Sequence, residues 1–193
     1  MMRHLAKVVI LMGVASLLGA GCASPPARFY TLNATAAIAT TPLKVSIAVG
    51  PVSVPAAVDR PQIVVREGAN ELALDEFNRW AAPLEDSIAR VVADNLVALL
   101  DTPRVTLFGQ SLNLDVDYRV QIEIRNFDSA PGKYVGLDAV WSVRKMKTGK
   151  VETGRTSLHT KVSDPGYDAV AAAHSRTIAN MTDDIATAIR ALE

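Results

Sequence analysis

The side chains with which this chain could do nucleophilic, proton-transfer or soft-metal chemistry are few: one cysteine, Cys22, and three histidines, His4, His159 and His174. Catalysis needs a nucleophile beside a base, a carboxylate pair or a metal cluster. One cysteine cannot build an internal disulfide framework or a zinc site resting on paired thiolates. The spacings G-x-S-x-G, H-E-x-x-H, G-x-x-x-x-G-K-[ST] and G-x-G-x-x-G do not occur, so the hydrolytic and phosphate-cradling templates fail. Asp183-Asp184 with Asp168 read as solvated helix charges rather than a cation site. His159 falls in a strand pattern and reads as exposed. His174 falls on an apolar helical stripe between Ala171 and Ile178 and reads as a partly buried, hydrogen-bonded ring. No catalytic residue, metal ligand or dissociable cofactor is expected.

Cys22 is the exception, and its neighbours say why. Arg3, His4 and Lys7 form a basic head, Val8 to Leu18 run apolar, and Gly19, Ala20 and Gly21 are small. This is the grammar of a secretory signal peptide. The apolar run would span roughly 17 Å as a helix, about half of the ~30 Å hydrocarbon core, too short for a permanent span. Leu17-Leu18-Gly19-Ala20-Gly21-Cys22 resembles the bacterial lipobox, with Gly19 where that motif usually has Leu. The resemblance implies that residues 1–21 are removed and that Cys22 becomes a lipidated first residue, carrying a covalent diacylglycerol and an acyl chain. Two or more acyl chains make a stable anchor without a transmembrane helix. Ala23 and Ser24 in place of Asp after the cysteine imply release to the outer membrane, on its periplasmic face.

The elements behind the anchor follow from composition and periodicity. Residues 22–42 are small, polar and Pro-punctuated, a lipidated terminus and tether interrupted by Phe29-Tyr30-Thr31-Leu32. Residues 43–193 form the domain. From Pro83 to Leu100, Leu84, Ile88, Val91, Val92, Leu96, Leu99 and Leu100 recur at three- and four-residue steps. Pro83 suits a first helical position, Glu85 and Asp86 its first turn, and Pro103 the region beyond its end. A second stripe runs from about Pro165 to Leu192 with Asp164 as candidate cap. Residues 116–127 alternate, with Val116, Tyr118, Val120, Ile122 and Ile124 on one face. Val135–Met146 and Val151–Val162 flank the turn Lys147-Thr148-Gly149-Lys150. Leu43–Val49 reads as a buried strand, and Gln62–Arg66 with Glu71–Asp75 as a hairpin. The expected fold is α+β: one domain, a mixed, largely antiparallel sheet, and two main helices on one face.

Charge excludes one class of partner. The chain carries 20 basic and 20 acidic residues; losing Arg3 and Lys7 with the signal leaves the mature form slightly acidic. That balance offers no electrostatic footprint for nucleic acid. The segment from Val45 to Leu100 holds the uncommon choices. Gly50-Pro51-Val52-Ser53-Val54-Pro55 suggests an edge strand or a bend, Asp59-Arg60-Pro61-Gln62 precedes a strand, and Arg79-Trp80-Ala81-Ala82-Pro83 leads into the first helix. Each has a local reading: Pro61 fixes a strand start, Trp80 packs at the helix start, Arg60 pairs with an acid. The rival for each is contact with a partner.

Taken in order, Phe29-Tyr30-Thr31-Leu32, Val49 to Pro55, Asp59 to Val64 and Trp80 to Ile88 resemble the ABC-type transport auxiliary lipoprotein family, best known from a mammalian-cell-entry (MCE) type lipid transport system. The resemblance implies an outer-membrane lipoprotein that partners a periplasm-spanning MCE-type protein and inner-membrane transport components, as a homo-oligomer forming a ring. Only Cys22 carries a stated chemical role. Asp59, Arg60, Pro61, Gln62 and Trp80 match its motifs as partner-binding or structural positions. The alternatives are a periplasmic lipid-binding shuttle and an envelope-assembly lipoprotein.

Overall fold

A computed structural model of the chain describes residues 25–109 and 115–193. Two helices and eight strands follow one another: β1 (Arg28–Tyr30), β2 (Ile47–Ser53), β3 (Gln62–Arg66), β4 (Leu72–Trp80), α1 (Leu84–Leu100), β5 (Val105–Leu107), β6 (Tyr118–Ala130), β7 (Tyr134–Lys145), β8 (Val151–Lys161) and α2 (Tyr167–Leu192). The α+β class and the two helices are as the sequence led us to expect. The strands, however, form two sheets rather than one: three strands in the order β1-β4-β3 and five in the order β5-β2-β6-β7-β8. The long neighbours β6, β7 and β8 pair antiparallel, as do β3 and β4, while β2 lies parallel to both β5 and β6, and β1 parallel to β4.

Both helices lie on the same side of the five-stranded sheet. On β6, Tyr118, Val120, Ile122 and Ile124 are buried beneath them, while Gln121, Glu123 and Arg125 are exposed on the opposite face. A bulge at Arg125 shifts the pairing with β7, so the alternation reverses: Phe127 and Ser129 face the helices, and Asp128 faces outward. α1 buries Leu84, Ile88, Val91, Val92, Leu96 and Leu100, each worth roughly 1.5–3 kcal/mol of transfer free energy. It ends at Asp101, which takes the left-handed conformation (φ 47°), with Thr102 N–H donating to the Val97 carbonyl. Pro83 stands just outside α1, as the cap residue rather than the first helical one.

One further expectation needs correcting. Asp164 does not cap α2: its Oδ1 accepts from Gly166 N–H at 2.7 Å, which turns the chain, and Gly166 is the cap residue. The Gly50-Pro51 segment, expected at an edge or a bend, is a bend just past the last residue that β5 flanks, Val49. The strand tolerates Pro51 because its register to β6 shifts between Val49 and Val52, so that no ladder donor is required there. Gly50 has φ +120° and precedes a cis peptide bond, and a Cβ there would crowd Phe108.

Residues 33–42, polar and read as a tether, run across the helices, with Leu43 following them. Asn95 Oδ1 accepts from Thr35 and Ala36 N–H at 3.0 and 2.9 Å, and Ala39 and Leu43 N–H donate to the Ala98 and Leu100 carbonyls. Polarity did not keep the segment free, because a buried Asn on α1 supplies the acceptor its backbone needs.

Candidate functional site

The four segments singled out in the sequence meet around the start of α1. The Trp80 N–H donates to the Pro61 carbonyl at 2.7 Å, and the Ala81 N–H donates to the Tyr30 carbonyl at 2.9 Å. Val54 N–H reaches Glu85 Oε1 at 3.3 Å, tying the residue before the second proline of the Gly50–Pro55 segment to the first turn of α1. Pro61, which has no N–H to give, can present its carbonyl here while fixing the chain just before β3.

Asp59, Arg60 and Pro61 form one wall of a groove of about 360 Å³; Trp80, Ala81, Ala82, Pro83 and Leu84 form the other. Its surface is mostly apolar, with a carboxylate and a guanidinium at the rim. Arg60 does not pair with an acid among the described residues: its Nη2 approaches only the Ala56 carbonyl, at 3.5 Å. On the other side of α1's first turn lies a smaller groove of about 200 Å³, lined by Gly50, Pro51, Glu85, Asp86 and Phe108. Asp59, Arg60, Pro61 and Trp80 are therefore brought together. Gln62 is not: its Nε2 donates to Glu76 Oε2 on β4 at 3.3 Å, away from the groove. Cys22 lies outside the described residues.

Trp80 is 6% exposed, so it shows the groove only an edge and gives the rest of its ring to the interior. There it meets His174 edge-on at 6.2 Å and Phe127 at 6.2 Å, while His174 and Phe127 stack at 3.9 Å. His174 is fully buried rather than partly so, and only half satisfied. Its Nε2 is 2.8 Å from Ser129 Oγ, and its Nδ1 has no partner. Burial pushes its pKa down to about 3, against a weak opposing pull from the Asp128 charge, so the ring is neutral and acts as packing with one hydrogen bond. The rigid stack behind Trp80 fixes the groove wall.

Asp128 was not visible as a special residue, because it sits just past the reversal in β6. It joins the two sheets: Arg66 Nε on β3 donates to its Oδ2 at 2.8 Å and Asn126 Nδ2 to its Oδ1 at 2.6 Å. Burial pushes its carboxyl up, but the Arg66 and Asn126 hydrogen bonds and the Arg66 charge outweigh that and hold it below the usual carboxylate range. Gly136, opposite it on β7, leaves the room; a Cβ there would overlap the carboxylate.

Chemically, the groove offers an apolar surface with a carboxylate and a guanidinium beside it, groups suited to binding. Among the described residues no three His, Cys, Asp or Glu side chains are placed to hold a metal. His159 is exposed beside Tyr134, with ring centroids 5.3 Å apart. Asp184 accepts from the Thr156 hydroxyl at 2.6 Å.

No curated protein matches the chain. Among solved structures it resembles the crystal structure of an uncharacterized protein, with a TM-score of 0.70 and 19% identity over 86% of this chain and 99% of that one. It also resembles protein XCC0632 from Xanthomonas campestris, of family DUF330, with a TM-score of 0.65 and 18% identity over 82% and 92%. At these identities the likeness shows a shared fold. The family match covers residues 30–186, from Tyr30 on β1 through most of α2, and so includes every wall of the groove. On that match the chain belongs to the family described as the ABC-type transport auxiliary lipoprotein component.

Proposed function

We propose that this protein is the non-catalytic, outer-membrane-anchored subunit of an MCE-type lipid transport system, held by lipid on Cys22 and docking through the groove at the start of α1 onto a periplasm-spanning partner. The observation that carries the reading is the convergence of four sequence-distant segments on that groove, with a free guanidinium at its rim and a rigid aromatic stack behind it. Interface anchors of this kind are typically a buried aromatic ring with Arg at its side. Self-association into a ring belongs to the same proposal.

The shuttle alternative needs an apolar chamber able to take an acyl chain. A larger groove, of about 690 Å³ between residues 33–37 and α2, mixes Ala36, Ala37, Leu99, Ala172 and Ala179 with Asn33, Thr35, Arg176, Asn180 and Asp183, an open surface furrow with charged groups in its walls rather than an enclosed apolar chamber. The experiment is affinity purification of the full chain in mild detergent. Recovery of an MCE-type protein, reduced by Arg60→Glu, is expected. Recovery of stoichiometric bound lipid without a protein partner would favour the shuttle instead.

A further inference from the structure

Nine large apolar side chains are exposed among the described residues, and four of them, Phe29, Leu72, Leu74 and Phe77, belong to the small three-stranded sheet. Pairing places Phe29, Leu72 and Leu74 on its outer side. Phe29 lies opposite Arg79 and two residues from Tyr30, whose hydroxyl donates inward to Asn78. Leu74 lies opposite Val64 and Leu72 opposite Arg66. Phe77 lies in the irregular stretch of β4 between the Ile63–Asp75 and Gln62–Arg79 pairs, where its N–H donates to Asp75 Oδ1, and its ring is exposed two residues from Arg79. The inner side carries Ile63, Val65 and Trp80, all buried, while on the outer side Val64 is buried as well and Leu72 and Leu74 stay exposed. Phe29 is 64% exposed and Phe77 41%. An exposed apolar cluster of this kind marks a surface made to meet something.

What it meets follows from chain length and charge. Phe29 is seven residues from Cys22, a reach of roughly 23–25 Å even when fully extended. A domain of this size is roughly 40 Å across, so a lipid on Cys22 keeps this edge of the molecule near the leaflet and keeps the opposite edge from taking its place. A link this short holds the leaflet at high effective concentration beside the face, so weak contacts suffice. The face's charges are already paired, Arg66 with Asp128 at 2.8 Å and Arg79 with Glu76 at 3.6 Å. It therefore makes no demand for an anionic surface, and aromatic rings with aliphatic neighbours suit the interfacial zone of a zwitterionic bilayer.

We infer that the outer face of the three-stranded sheet rests on the same leaflet that holds the anchor, with Phe29 and Phe77 in the interfacial zone. The inference depends on the lipid on Cys22 and adds to it a fixed standing orientation. That orientation turns the polar outer face of β8 away from the bilayer.

The test uses the full lipidated chain in vesicles of phosphatidylethanolamine and phosphatidylcholine, with an environment-sensitive dye on Phe77→Cys, on Leu74→Cys and, as a distant control, on Thr153→Cys at the exposed outer face of β8. Flotation with the vesicles reads the anchor; quenching by spin-labelled lipids reads the face. Expected are flotation of all three and several-fold stronger lipid quenching, with blue-shifted emission, at 77 and 74 than at 153. Flotation with equal, water-like emission at all three positions would overturn the inference while leaving the anchor intact. Flotation with dyes at 77 and 74 shielded from aqueous iodide yet unquenched by lipid would overturn it in favour of a protein neighbour, including a second copy. Failure to float would remove the anchor, and the inference with it.

Discussion

Cys22→Ser is expected to abolish palmitate incorporation and to remove the protein from the outer-membrane fraction. On the proposed anchoring, a serine hydroxyl could not take the place of the thioether that would carry a diacylglycerol. A single myristoyl-length chain binds a bilayer only marginally, at about 10⁴ M⁻¹, and each further buried CH₂ adds ~0.8 kcal/mol, so a second chain contributes on the order of 10 kcal/mol. Four partly exposed apolar residues on the small sheet cannot replace that, and no helix among the described residues is long and apolar enough to cross a membrane. The check is fractionation of envelopes after radiolabelled palmitate feeding. Native levels of the Ser variant in the outer-membrane fraction would contradict the account.

The second large effect is on acid stability. His174 is neutral and fully enclosed between Phe127, Trp80 and Ser129, with its pKa lowered to about 3 by burial. In the unfolded chain a histidine binds its proton near pH 6.5. Between about pH 6.5 and 3 the unfolded state therefore holds more protons than the folded one, and stability is complete above that window and is lost as pH falls through it. One group changing by one proton contributes at most about 1.4 kcal/mol per pH unit, or somewhat under 3 kcal/mol between pH 6 and 4. Asp128 acts in the same direction at lower pH, since its carboxyl is held below the usual range and loses Arg66 only on protonation. Urea midpoints measured from pH 4 to 8 should fall steeply on the acid side. In His174→Phe, which keeps the ring stack but cannot take a proton, the curve should be lower by about 1 kcal/mol at neutral pH for the lost Ser129 hydrogen bond and nearly flat from pH 6 to 5. Parallel curves for the two proteins would show that His174 is not the group involved.

How much of this could be read from the residues depends on how local the determining physics is. α1 was legible to its last residue because Ile88, Val92, Leu96 and Leu100 repeat without interruption and Pro103 closes the region. The β7-β8 hairpin was legible because Gly149 allows its turn (φ +74°). The division into two sheets was not, because it depends on which strand β4 prefers, and nothing in Leu72–Trp80 distinguishes β1 and β3 from β6 as neighbours. Pro51 suggested an edge or a bend because a central strand usually needs the missing donor; that it is a bend follows from the pairing, with β5 stopping at Val49 and the register to β6 shifting before Val52. The same is true of His174. Its place on the apolar stripe was visible, but the stack on Phe127 and the hydrogen bond to Ser129 depend on the reversal of alternation at the Arg125 bulge. The site fared similarly: Asp59, Arg60, Pro61 and Trp80 were legible as unusual residues, while their meeting in one groove and the departure of Gln62 toward Glu76 are tertiary facts.

The central claim, docking through the groove at the start of α1, is tested most directly by a photo-crosslinking residue placed at Arg60 in intact envelopes, with Glu152 on β8 as the control position. The account predicts a single major adduct from position 60, identified by mass spectrometry as an MCE-type periplasmic protein, and none from position 152. Adducts from 152 but not from 60, or the same adducts from both, would contradict it.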